Sequence, residues 1–317
     1  MGELLAVLAL AMFSINIVVT KIASARVAVS IGFLVAITIN VLFALLIVVG
    51  QTIIEQKPLE ANYSALLLFA LAGFFSTYLG RWFLYDSIVK LGPSRASAFQ
   101  ASNPMFTFVI AWLVLGQTLT KMDVGAASSI LLGLCLANYR PPDRRSDASD
   151  RPNATAVAQE RTPNTLTCRF RTMLGSGTFL AIFGAFSYAV SNVLRGSAIR
   201  DWNEPMLGVL VGASVGLGAY VLLSSEAQAF PDNLKHADRK GIYLYAFSGI
   251  LTMLAQACMI TAMWYLPVPI VTLITLSTPI LVIPAGIFLL RNREKISALT
   301  VFGSALVLAG ITTMLLT

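Results

Sequence analysis

Ten apolar stretches follow one another along this chain, parted by short polar connections and, once, by a long polar run. They cover 3–20, 30–50, 63–89, 94–115 and 121–139, then 176–199, 205–224, 241–264, 268–290 and 296–316. A helix needs roughly 20 residues to cross the hydrocarbon of a bilayer, and several of these stretches supply them. Membrane strands alternate apolar and polar positions over about ten residues; these runs do not. Lipid offers the backbone no hydrogen bonds, so each stretch is predicted as an α-helix that satisfies its own. The pattern predicts an all-α polytopic membrane protein with ten transmembrane helices.

The second five stretches echo the first. With Pro279 laid over Pro104, Leu91 and Ser102 meet Leu266 and Ser277. Leu119-Thr120 and Gly133 meet Ile296-Ser297 and Gly310 once two residues are inserted before Glu294. Five helices per half is an odd number, so related halves must lie in opposite orientations, as two inverted five-helix repeats. The long polar run, Arg140 to Gly175, begins Pro141-Pro142-Asp143-Arg144-Arg145 and continues rich in Ser, Thr, Asn and Pro. It holds too little apolar surface to fold alone and reads as a flexible linker, or alternatively a short regulatory segment. The expected division is 1–139, 140–175 and 176–317. Ala23-Ser24-Ala25 resembles a leader cleavage site, but no basic region precedes the first stretch and Glu3 stands in its place. That stretch is therefore read as a retained helix.

Composition agrees. Of 317 residues, 57% are hydrophobic and 12% charged, about half the charged share of soluble domains. The net charge of +7 resides in loops flanking apolar helices, where it acts as a topology signal; no nucleic-acid partner is implied, and the lipid bilayer is the expected surrounding. With the N-terminus cytoplasmic, that side would carry only Lys57, Lys121, Arg195 and Arg200 of the chain's 22 Lys and Arg. The count thus favours a cytoplasmic linker and both termini outside. Cys135, Cys168 and Cys258 form no paired spacing, and the single histidine, His236, lies in a polar loop. No disulfide, metal or other cofactor is expected.

The stretch from Tyr85 to Leu136 carries a resemblance. Leu91-Gly92-Pro93-Ser94-Arg95-Ala96-Ser97-Ala98, Asn103-Pro104, Leu115-Gly116-Gln117-Thr118-Leu119-Thr120 and Gly133 are similar to the EamA repeat of the drug/metabolite transporter superfamily. The ends of the first and sixth stretches, Asn16 to Lys21 and Asn192 to Arg195, fit as well. The likeness covers nearly the whole chain as two tandem repeats. It departs where the family has Glu and this chain has Gln117, and where a Trp usual near Phe13 is absent. It implies a secondary carrier for a small-molecule metabolite, often an exporter of amino acids or related compounds, multi-pass in the cell membrane. It also implies both termini in the cytoplasm, against the charge count, so orientation stays open.

The candidate chemistry lies on polar helix faces. Inverted-repeat carriers bind substrate at the midplane, beside helices interrupted at corresponding places. Pro104 and Pro279 stand midway along the fourth and ninth stretches and mark such helix kinks, or plain packing kinks. Around them, Gln100, Asn103 and Thr107 share one face, as do Tyr78, Arg81, Trp82 and Tyr85 on the third stretch. Tyr188, Ser191, Asn192 and Arg195 share a face on the sixth, and Thr272 and Thr275 on the ninth. Such faces line a wet cavity or bond neighbouring helices. Arg81 is the sharpest residue. A charge within an apolar helix costs roughly 3 kcal/mol or more unless paired or hydrated, and the repeat places Gln256 at the matching position. It is expected to bind a carboxylate or phosphate; the alternative is a structural pair or snorkelling to the interface. Asp86 is the candidate proton site if transport is coupled to protons; the alternative is a solvated interface residue near a helix end. The first helix has no carboxylate past Glu3, which argues against exchange of protons for cations at a first-helix glutamate. Gly208, Gly212 and Gly216 repeat at four-residue spacing, a close-packing stripe used within the chain or in a homodimer. An enzyme would need clustered His, Asp or Glu, or a Gly-x-Ser-x-Gly turn. A channel would need a repeated ring of filter residues. Neither is visible; the alternatives to a carrier are a membrane-embedded enzyme and a non-transporting receptor or assembly subunit.

Overall fold

The structure, a computed structural model, describes residues 1–55, 62–91, 99, 102–117, 121–138, 177–223, 237–278, 281–282 and 298–316. Gln100 and Pro279 lie outside the described residues. The described residues form helices alone: α1 (Gly2–Ser24), α2 (Val29–Glu55), α3 (Tyr63–Gly73), a π-helix (Phe74–Gly80), α4 (Arg81–Leu91), α5 (Asn103–Leu115), α6 (Lys121–Asn138), α7 (Gly177–Asp201), α8 (Pro205–Leu223), α9 (Arg239–Tyr265), α10 (Val268–Leu276) and α11 (Ala298–Leu316). Among these residues six helical spans are long and apolar enough to cross a membrane: Gly2–Ser24, Val29–Ile54, Tyr63–Leu84, Gly177–Asp201, Pro205–Leu223 and Arg239–Tyr265. Asn103–Leu115 and Val124–Gly133 are shorter apolar helices. Large apolar side chains such as Leu46, Ile53, Leu113 and Leu222 are exposed, which suits a surface covered by lipid rather than water.

Local signals set several helix ends. Asn62 caps α3, its Oδ1 accepting the Ala65 N–H at 3.2 Å. Asp238 caps α9 by accepting the Lys240 N–H at 3.1 Å, and it also accepts from Arg26 Nη1 at 3.0 Å. Arg26 lies in the connection between α1 and α2, so this exposed clasp ties that connection to the start of α9. The Arg26 hydrogen bond, foremost, and the Lys240 amide hold the Asp238 carboxyl below its ordinary range. Gly116 ends α5 with a positive φ of 60°, a backbone shape that glycine takes without a steric cost. Pro104 lies in the first turn of α5, not midway along a helix. A proline there gives up an N–H that has no partner within the helix in any case, which corrects the mid-helix kink expected from the sequence.

The helices pack as matched pairs. α1 lies on α9 as α7 lies on α3, the π-helix and α4; α2 lies on α9 as α8 lies on α3 and the π-helix; and α1 meets α10 as α7 meets α5. Further contacts join like to like, α2 with α8, α5 with α10, and α6 with α11, while α9 also meets α7 and α8. Glycines show the match residue by residue. Gly73 abuts the Gly212 backbone and Gly249 abuts the Ala36 backbone; Gly208 faces the Phe69 ring and Gly32 faces the Tyr245 ring. Gly133 approaches Gly303 and Val307, and Gly310 approaches Ala126 and Ile130. Upstream of the π-helix the corresponding positions keep one constant offset. Downstream, where Arg81 matches Gln256 and Pro104 matches Pro279, the offset is one residue shorter. The π-helix, with one residue more per turn than an α-helix, absorbs that extra residue in the first half.

The Gly208, Gly212 and Gly216 stripe packs on Phe69, Gly73 and Thr77, so α8 and the α3–π rod of the same chain account for it. Ala9, Phe69, Ile199, Met253, Ile260, Met263, Val268 and Ile274 belong to one buried apolar cluster that packs helices of both halves together.

Candidate binding cavity

A cavity of about 400 Å³ lies among α1, α2, the π-helix, α4, α7, α8 and α9. That volume falls within the range of small-molecule sites. α2 gives it one continuous stripe, Val29, Phe33, Ala36, Ile37 and Asn40, at the spacing that shares a helix face. Opposite stand Thr77, Arg81 and Leu84 from the π-helix and α4, and Tyr245, Ser248, Thr252 and Gln256 from α9. Arg81 and Gln256, matched by the internal repeat, therefore face one space. Asn16 and Thr20 of α1 and Tyr188 of α7 complete its polar lining.

The Arg81 guanidinium carbon lies 3.9 Å from the centroid of the Phe33 ring, a cation–π contact that partly replaces lost water. The Phe33 ring meets Tyr220 edge-on at 4.9 Å between centroids. Among the described residues no carboxylate pairs with Arg81, and no Asp or Glu lines the cavity. On the α1–α9 wall, Ser248 Oγ donates to Asn16 Oδ1, and Thr20 Oγ1 lies 3.2 Å from Ser248 Oγ. The site is thus a half-polar chamber with one cation on its wall and neutral donors and acceptors around it.

Of the residues expected from the sequence, Arg81, Tyr188 and Gln256 line this cavity. Those whose side chains are described stand elsewhere. Tyr78 stacks at 5.6 Å on Phe74, and Trp82 is 55% exposed on the outer surface beside Phe83. Asp86 pairs with Lys90 at 3.1 Å, with both side chains more than a third exposed. Asn103 is buried and accepts from Thr107 Oγ1 at 3.0 Å within α5, and Thr275 donates to carbonyls of its own helix. Asn192 is buried in α7 outside the cavity lining. Tyr85 belongs to α4. Arg195 and Ser191 act between helices: Arg195 Nη2 donates to Ser76 Oγ at 2.9 Å, and Ser191 Oγ donates to the Ala72 carbonyl at 2.8 Å. These bonds fasten α7 where α3 passes into the π-helix. Sequence reasoning missed Phe33, Asn40, Asn16 and Ser248. The available signal was the α2 stripe, in which Asn40 is the one amide in an otherwise apolar run.

Gln117 joins the two halves at another point. Its Oε1 accepts the backbone N–H of Val268 at 3.0 Å, the first residue of α10. A side chain from the end of α5 thereby caps a helix of the opposite half. Helix starts leave N–H groups in need of such acceptors. Gln117→Leu is expected to destabilise the protein by about 1–3 kcal/mol by leaving that buried N–H unmet. Gln117→Glu is expected to retain the stability, because a carboxylate also suits a helix N-terminus. Thermal unfolding of the two variants in detergent checks the contrast, and equal losses in both would refute the capping role.

Comparison with known proteins places this architecture. The profile of the EamA-like transporter family matches twice, over residues 1–139 and 175–316. No curated protein matches in sequence. A solved structure, described only as a crystal structure of a protein, superposes with a TM-score of 0.69 at 13% identity, covering 99% of this chain and 96% of that one; it supports the fold alone. With both halves matched by its profile, the chain belongs to the EamA-like transporter family.

Proposed function

We propose that this protein is a secondary carrier that exports a small metabolite, an amino acid or a related anionic compound, across the cell membrane by alternating access. The observation that carries the reading is the cavity between the matched halves, with Arg81 from one half and Gln256 from the other on its wall. The paired helix and glycine contacts support the finer architecture of ten helices in two inverted five-helix repeats, 1–139 and 176–317. Repeats of that kind expose a fixed site to either side by rocking one bundle against the other. A chamber whose described lining includes Arg81 and no carboxylate favours an anionic cargo.

A thermal-shift screen of the purified protein tests this. Ligand at a hundred times its Kd stabilises a folded protein by about 2.7 kcal/mol. Carboxylated metabolites are expected to raise the melting temperature, and nucleosides and cationic drugs to leave it unchanged. Hits are then followed by flux into proteoliposomes. Stabilisation by cations alone would overturn the anionic reading.

A further inference from the structure

Asn40 is 4% exposed, lines the cavity, and sits in the interior of α2. Its Oδ1 is buried and has no hydrogen-bond partner among the described residues. An amide oxygen buried in an apolar helix without a partner is costly to the resting protein. The oxygen and nitrogen of an amide are close in size, so a half-turn exchanges which of them faces the chamber. Asn40 also stands two turns along α2 from Phe33, roughly 10 Å by helix rise, and Phe33 is the ring that carries the Arg81 guanidinium. The cation and the amide therefore stand two helix turns apart along one stripe.

Resting on the carrier reading above, we propose that Asn40 selects the cargo: a small, elongated organic anion whose charged group meets Arg81 and whose far end carries a hydroxyl or similar hydrogen-bonding group that meets the Asn40 amide. A hydroxyl satisfies either face of the amide, because it both donates and accepts. A plain methyl end leaves the amide unmet. Discrimination of this kind comes from a polar site rejecting the ligand that lacks the matching group.

The test uses straight-chain carboxylates from acetate to hexanoate, each against its terminal-hydroxyl counterpart, titrated into the purified full-length protein. Glycolate is expected to show no advantage over acetate, being too short to reach both ends. Among the longer members the hydroxy acid is expected to bind about fivefold tighter or more, the worth of one well-made hydrogen bond. Asn40→Leu is expected to reduce that advantage, read as the ratio of the two series in the variant itself, to within about twofold. Its melting temperature without ligand is expected to equal or exceed that of the wild type, because an unmet amide is gone; a purely structural asparagine would give a lower one. Three results overturn the proposal: no hydroxyl advantage at any length in the wild type, an advantage that survives Asn40→Leu, or a variant that loses both series together. Carboxylate binding without hydroxyl discrimination removes the role of Asn40 alone and leaves the carrier reading intact. No carboxylate binding by the wild type removes the anionic reading and the role of Asn40 with it.

Discussion

Arg81→Gln is expected to weaken binding of a carboxylate cargo by about 10- to 100-fold, the worth of a hydrogen bond to a charged group at roughly 1.5–3 kcal/mol. The wild-type guanidinium is held over Phe33 at 3.9 Å without a described carboxylate partner, so its charge is available to a ligand. Gln is the informative replacement because Gln256 already occupies the matching place in the second half. The variant gives both halves the same neutral amide while leaving the cavity shape nearly intact. Its stability without ligand is expected to hold, since a charge in an apolar span is an unfavourable group removed. Arg81→Lys is expected to recover part of the affinity. A lysine supplies the charge but not the planar fork that binds a carboxylate through two hydrogen bonds. Phe33→Leu removes the ring beneath the cation and is expected to cost about two- to fivefold. Dissociation constants and initial flux rates in proteoliposomes read the series. Wild-type affinity and flux in Arg81→Gln would remove the anchor role.

The sequence carried the spans well and the site unevenly. The helical segments Gly2–Ser24, Val29–Glu55, Tyr63–Leu91 and Arg239–Tyr265 coincide with the apolar stretches from which they were expected, because length and hydropathy suffice to place a membrane helix. The face holding Tyr78, Arg81, Trp82 and Tyr85 was drawn on ideal α-helical spacing. Tyr78 lies within the π-helix Phe74–Gly80, which alters its phase relative to Arg81. Arg81 reaches the cavity, and Trp82, one residue and about 100° further round the same α-helix, turns to the surface. One hint was present: the internal repeat changes register by one residue across this segment. Asn103, Thr107 and Thr275 were legible as inward-facing, but not as bonded within their own helices, since spacing alone does not separate a wet wall from a packed one. Phe33 escaped notice because its role comes from the neighbour above it, which belongs to another helix. The glycine stripe was legible as packing, and its partner helix needed the fold.

The close approach of helices at Gly73 and Gly249 yields the second large effect. A Cβ built on Gly73 would strike the backbone of Gly212, and one on Gly249 the backbone of Ala36. Backbone cannot swing aside as the end of a side chain can, so the two helices must separate to admit a single methyl group. Gly73→Ala and Gly249→Ala are each expected to lose about 3 kcal/mol, the upper end for overpacking, against a total stability of about 5–15 kcal/mol. Gly32→Ala and Gly208→Ala meet the rings of Tyr245 and Phe69 instead and are expected to lose less, since a ring can tilt. Gly50→Ala and Gly218→Ala, with nothing within 4 Å, are expected to be neutral or to gain up to about 1 kcal/mol from helix propensity. The informative comparison lies within each pair. If the halves are one design used twice, matched substitutions must lower the unfolding midpoint by similar amounts, although they lie in different halves and share few sequence identities. A Gly73→Ala protein as stable as the wild type would mean that α3 and α8 do not meet this closely. A large loss at Gly73 with none at Gly249 would mean that the two halves pack on different terms, and the paired contacts would then no longer support rocking about a common cavity.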